Sequence, residues 1–141
     1  SLAKGDDVWE ARLVAAFQTL TQAPSDRGAN ASDHQHADDV QMEVHHHQFH
    51  RSLIAACGSR WLLDLSDQLY AQTERYRQPS LRDRRYWKLE RDVALEHRQL
   101  LDAAVARDAG LAAGLLARHY RETGRAVKQV LGLAAAGQAA T

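Results

Sequence analysis

QMEVHHHQFHRSLIAAC, residues 41–57, decides how the rest of the chain is read. His46 and His50 stand four positions apart, so on a helix they stack on one face about one turn from each other. Met42, Phe49, Leu53 and Cys57 share that face, the apolar stripe of a helix that points at a core. Two imidazoles on a buried side are costly unless something satisfies them. A divalent metal does so, and HxxxH on a helix presents two nitrogens to one ion. Core rings that are merely hydrogen-bonded are the competing reading, and the pair alone does not decide between the two.

Two further histidines do. Asp108 suits the N-cap of a last helix, and His97 and His119 lie eleven residues before and after it. If Asp108 marks a tight turn between antiparallel helices, both climb roughly 16 Å from it and meet at one height. Each also falls on the apolar side of its helix, with Val93, Leu100, Leu101 and Ala104 beside His97, and Ala112, Leu115, Leu116, Ala126 and Val130 beside His119. Level, inward histidines on independent helices favour a shared metal held by His46, His50, His97 and His119. His34, His36, His45 and His47 lack this logic and read as a solvated face.

The 141 residues suffice for one domain with a core, and 45% hydrophobic with 26% charged content is that of a soluble globule. Eighteen basic residues balance eighteen acidic ones, which argues against a free-standing nucleic-acid binder. No apolar run reaches about eighteen residues, so no membrane span is expected, and no secretory signal opens the chain. It begins at Ser1 and reads as a fragment or a processed chain. Cys57 has no partner for an internal disulfide and reads as a small buried hydrophobe, which fits a cytoplasmic setting.

Good helix formers dominate and no β-branched alternation occurs, so the fold is all-α. A first helix runs from an Asp6 or Asp7 cap to Gln22, with Val8, Trp9, Leu13, Val14, Phe17 and Leu20 on its apolar side. PSDRGAN, 24–30, is a loop. Ser32 or Asp33 caps the second helix, which ends near Cys57 with Gly58 as a left-handed C′ residue. A third helix, 60–77, shows Trp61, Leu62, Leu65, Leu69, Ala71 and Tyr76, and Gln78-Pro79-Ser80 ends it. Residues 81–91 lead into a fourth helix to about Arg107. The last spans about 109–133, and 134–141 reads as a disordered tail.

HHQFHRSLIAACGS, QLYAQTERYR, EHRQLLDAAVARD and ARHYRET, in this order, resemble the FCD domain, the C-terminal effector domain of GntR-type bacterial transcription regulators. The resemblance is firm over 43–125, and GDDVWEARLVAAF extends it toward the carbon-starvation-induced regulator subgroup. It implies an antiparallel bundle of about six helices around a central cavity. It also implies a metal on one Asp and three His, corresponding to His50, His97 and His119. His46 stands where the family's Asp is usual. Four neutral imidazoles favour zinc, with nickel the alternative, over Mg²⁺ or Ca²⁺. The resemblance further implies a small carboxylate effector, a homodimer, and DNA contact only through an N-terminal winged helix-turn-helix domain absent from this chain. An inward arginine would grip the carboxylate: Arg75 first, Arg12 second, Arg77 third. Tyr76 could add a hydroxyl. The alternatives are a metal-dependent hydrolase, against which Glu96 points elsewhere and no general base is evident, and a module in which the metal only staples the bundle.

Overall fold

The computed structural model describes residues 2–22, 33–82 and 91–138, with the side chains of 33–39, 78–82 and 133–138 left aside. Among the described residues the fold is all-α: α1 (Asp7–Gln22), α2 (Asp33–Ile54), a 3₁₀ turn (Ala55–Cys57), α3 (Arg60–Arg82), α4 (Val93–Val105) and α5 (Ala109–Gln138). That is five helices where about six were expected. α1 packs on α2 and α4, α4 on α5, and α3 touches α2 and α5. No helix among the described residues is long and apolar enough to cross a membrane.

The caps lie where the sequence puts them. Asp6 Oδ1 accepts from the Trp9 backbone N–H at 2.8 Å, and Asp108 Oδ1 accepts from that of Leu111 at 2.9 Å. Gly58 adopts φ 74° after the 3₁₀ turn, a conformation that a side chain would strain. The turn between α4 and α5 is closed by Asp108 N–H to Ala103 C=O at 3.0 Å and Arg107 N–H to Ala104 C=O at 3.1 Å. This pairing needs a left-handed residue, and Arg107 supplies it at φ 59°. Its guanidinium lies over the Trp9 ring and bonds Glu10 Oε2 at 3.0 Å, so the strained residue also ties the turn to α1.

Leu13, Phe17, Phe49, Leu53, Leu100, Leu101, Ala103 and Ala104 form the core. Phe17 and Phe49 meet edge to face at 5.6 Å, and Trp9 Nε1–H donates to the Ser52 carbonyl at 2.8 Å. Met42 and Cys57 are only half-buried. Val8, assigned to the apolar side of α1, is 57% exposed, because the stripe set by Trp9, Leu13, Phe17 and Leu20 leaves it on the opposite flank.

The larger corrections concern α3, α4 and the C-terminus. α3 runs through Pro79 to Arg82, past the Gln78-Pro79-Ser80 expected to end it. Its expected apolar side faces outward: Trp61 is 69% exposed, and Leu62, Leu69, Ala71 and Tyr76 are exposed too. The side it turns to the bundle carries Asp67, Tyr70 and Arg77. α4 starts only at Val93, capped by Asp92 Oδ1 on the Leu95 N–H at 2.8 Å. The backbone of α5 continues to Gln138, into the stretch assigned to a tail. The loop at 24–30, Ser32 as a cap, and 83–90 as a lead into α4 lie outside the described residues.

Candidate metal centre

Three helices converge on one point. α2 supplies His46 and His50, α4 His97 and α5 His119, and one ring nitrogen from each lies within 4.8 Å of all the others. Ring centroids stand 4.6 Å apart for His46–His50, 4.8 Å for His97–His119 and 5.0 Å for His46–His97. His50, His97 and His119 are buried and His46 is half-buried. Phe49 floors the cluster, 5.5 Å from His50 and 5.4 Å from His97. The expected central cavity is not shown among the described residues, where the rings lie against one another.

Hydrogen bonds orient the rings. Glu96 Oε2 accepts a hydrogen bond from His119 Nδ1–H at 2.7 Å, closer than Arg91 Nη2 at 3.3 Å from the same nitrogen, and this leaves Nε2 bare. Arg91 fixes Glu96 through two bonds of 2.8 and 2.6 Å and reaches the His119 carbonyl at 3.0 Å. His46 turns Nδ1 to the Tyr70 hydroxyl at 3.0 Å and to Arg77 Nη1 at 3.1 Å, and both of these bond the Glu43 carboxylate. His46 and His50 face each other Nε2 to Nε2 at 3.2 Å. His97 Nε2 is buried with no hydrogen-bond partner.

The donor set fits a transition metal. Zinc binds imidazole at about 2.0–2.1 Å, and four nitrogens within 4.8 Å of one another, two of them already 3.2 Å apart, are near enough to share one ion. An ion would also satisfy the orphaned Nε2 of His97, which otherwise costs desolvation energy. The surroundings of the rings favour their neutral form, the one that can ligate a metal. Burial, then the neighbouring histidines, holds His46 and His50 well below the ordinary value of 6.5. Burial, with His119 adding to it, pushes His97 down to about 3. Burial lowers His119 too, although Glu96 opposes it. For Glu96 burial acts upward, but the hydrogen bonds from Arg91 and His119 prevail and hold it low.

These shifts predict acid sensitivity. A histidine whose folded pKa lies below its unfolded one contributes fully above about 6.5 and loses that contribution as pH falls toward the folded value. In chelator-treated protein the urea midpoint should therefore fall between about pH 7 and 5. The depressed Glu96 adds a further loss at lower pH. A midpoint unchanged over that range would show that the folded protein protonates its rings freely.

The expected arginines separate. Arg77 is buried and bonds His46, whereas Arg12 and Arg75 are exposed, the latter with its guanidinium 4.8 Å from the Tyr76 ring. Tyr76 is exposed too. Glu96 does not point elsewhere: it leaves the His97 side of α4 and reaches His119 on α5. Glu43, Tyr70 and Arg91 went unremarked in the sequence, although Tyr70 and Arg77 stand seven apart, two helical turns, and flag a polar inward face. His47 pairs with Asp67 at 3.2 Å and stacks on Tyr70 at 4.0 Å, and His45 bonds Gln41 at 2.7 Å. The side chains of His34 and His36 lie outside the described set.

Comparison with known proteins bears on this arrangement. The chain is 35% identical over 129 residues to the uncharacterized HTH-type transcriptional regulator BphR of Paraburkholderia xenovorans strain LB400, covering 92% of this chain and 50% of that protein. It is 31% identical over 121 residues to the HTH-type transcriptional repressor GlaR of Escherichia coli K12, covering 84% and 52%. The chain thus spans about half the length of these curated relatives. No solved structure gives a significant match. The FCD domain family matches residues 2–122, all five helices in whole or in part, and the chain belongs to that family.

Proposed function

We propose that this chain is the effector-sensing domain of a bacterial transcription regulator, holding a divalent metal on His46, His50, His97 and His119 and binding a small carboxylate beside it. The observation that carries the reading is the quartet of imidazoles, one nitrogen of each within 4.8 Å of the others. Zinc, or nickel, suits four nitrogen donors, whereas Mg²⁺ and Ca²⁺ demand oxygen. The Glu43–Arg77 and Glu96–Arg91 pairs each cancel internally, so a bound ion would keep its +2 charge and favour an anion. Arg77, 3.1 Å from His46, is the arginine we assign to that anion. The relatives are HTH-type regulators and about half their length lies outside the match, which supports DNA binding by a separate N-terminal part. A homodimer in the cytoplasm completes the proposal. Effector binding would act by favouring one helix packing over another, and so one spacing of the DNA-binding parts. The hydrolase alternative gains nothing, because both carboxylates at the cluster are already bound to arginines.

Elemental analysis of untagged protein, followed by a thermal-shift screen of small carboxylates, tests this. About one tightly held transition metal per chain, with stabilisation by a few acids, is the expected result. Protein free of metal and indifferent to chelators would overturn the metal assignment. Metal without any response to acids would leave only the staple.

A further inference from the structure

A neutral imidazole carries one N–H, and His46 Nδ1 has two partners that make opposite demands on it. Arg77 can only donate, so its bond at 3.1 Å requires a bare Nδ1 and puts the proton on Nε2, toward His50. Tyr70, at 3.0 Å, can do the reverse. Its own proton goes to Glu43, an acceptor-only carboxylate buried on α2 one turn before His46. The phenol oxygen is then free to accept from Nδ1–H, which leaves Nε2 with its lone pair. Arg77 in turn neutralises Glu43. On the other side of the cluster the same logic is shorter: Glu96 accepts from His119 Nδ1–H directly, and Arg91 neutralises Glu96. At His119 too an arginine lies near Nδ1, Arg91 Nη2 at 3.3 Å, but the carboxylate is closer at 2.7 Å and accepts from Nδ1–H, so both assemblies read as carboxylate, arginine and an Nδ1–H ring, with Tyr70 as the extra link at His46.

We propose that Tyr70, backed by Glu43, is the positioning residue that holds His46 as its Nδ1–H tautomer and so turns Nε2 to the metal. This rests on the metal reading above and adds to it which residue fixes the fourth ligand. A ligand histidine commonly owes its tautomer and its basicity to such a partner, whose loss typically costs 10–100-fold in metal affinity.

The test uses the full chain with zinc, in competition with a chromophoric chelator. Tyr70→Phe removes the oxygen and keeps the ring stacked on His47. It should weaken zinc by about 10–100-fold, and Glu43→Gln, which weakens the acceptor behind it, should do so by less. Tyr76→Phe makes the same chemical change at an exposed site on the same helix and should leave affinity unaltered. Nitrogen-15 NMR of the histidine rings gives a readout that mere packing would not move: zinc-loaded wild type should show His46 protonated at Nδ1. Zinc affinity equal in Tyr70→Phe and wild type overturns the assignment, as does a loaded His46 protonated at Nε2. Wild type that takes up no zinc overturns the metal reading and this inference together, whereas uptake with an indifferent Tyr70→Phe overturns this inference alone.

Discussion

His97→Ala and His119→Ala are each expected to abolish tight metal binding, while His47→Ala leaves it intact. Both rings are at least nine-tenths buried, and each is one of the two contributions that come from outside α2. Losing a ligand outright should cost more than the roughly 100-fold ceiling for losing a partner behind one. The difference shows most cleanly as stabilisation by zinc. A ligand at about 1,000 times its Kd adds about 4 kcal/mol to the folded state, and each variant should lose most of that gain. In chelator-treated protein the variants should lie closer to wild type than in zinc. His97→Ala leaves a hole beside Phe49 but also removes a buried nitrogen that has no hydrogen-bond partner. His47 sits at the surface with 36% of its side chain exposed, where a pair such as its contact with Asp67 is worth about 0–1 kcal/mol. Urea titrations with zinc and with chelator separate the two classes. Equal zinc stabilisation in all three variants and wild type would mean that the quartet is not the site.

What the sequence made legible was periodic or symmetric. The i, i+4 spacing of His46 and His50, and the equal distances of His97 and His119 from Asp108, depend only on helical rise and on a tight turn, and the structure brings the four rings together. Asp6, Asp108 and Gly58 were legible because caps and left-handed turns select residue types locally. α3 was misread because periodicity tells which residues share a face and not which face is covered. Trp61, Leu62, Leu69 and Tyr76 are apolar or aromatic and yet exposed, whereas Asp67, Tyr70 and Arg77 turn toward the histidines. The same error ranked Arg75 above Arg77. Two positions apart is about 200° around a helix, so only one of them can face the cluster. Glu96 escaped for a related reason. It projects about 100° from His97 and its partner lies on α5, so no pattern within α4 reveals it.

Arg77→Met should destabilise the protein by roughly 3–5 kcal/mol, the cost of breaking a buried ion pair from one side. Glu43 and Arg77 are both buried; Glu43 also accepts from Tyr70, and Arg77 Nη1 lies 3.1 Å from His46 Nδ1. Removing the guanidinium leaves a carboxylate with only the Tyr70 proton beside it and takes the cation from over the Tyr70 ring, 4.5 Å away. For a chain of this size the loss should lower Tm by about 10 °C or more. The double variant Glu43→Gln, Arg77→Met should recover a large part, because the penalty of Arg77→Met belongs mainly to the abandoned charge and not to the lost attraction. That recovery separates stability from sensing. If Arg77 also grips the effector, the double variant folds and binds zinc but no longer responds to the carboxylates that stabilise wild type. A double variant that still responds would remove Arg77 from the effector site and leave the metal as the anion's main anchor. A single Arg77→Met that costs under about 1 kcal/mol would instead mark the pair as solvated, a surface bridge of the kind that contributes little.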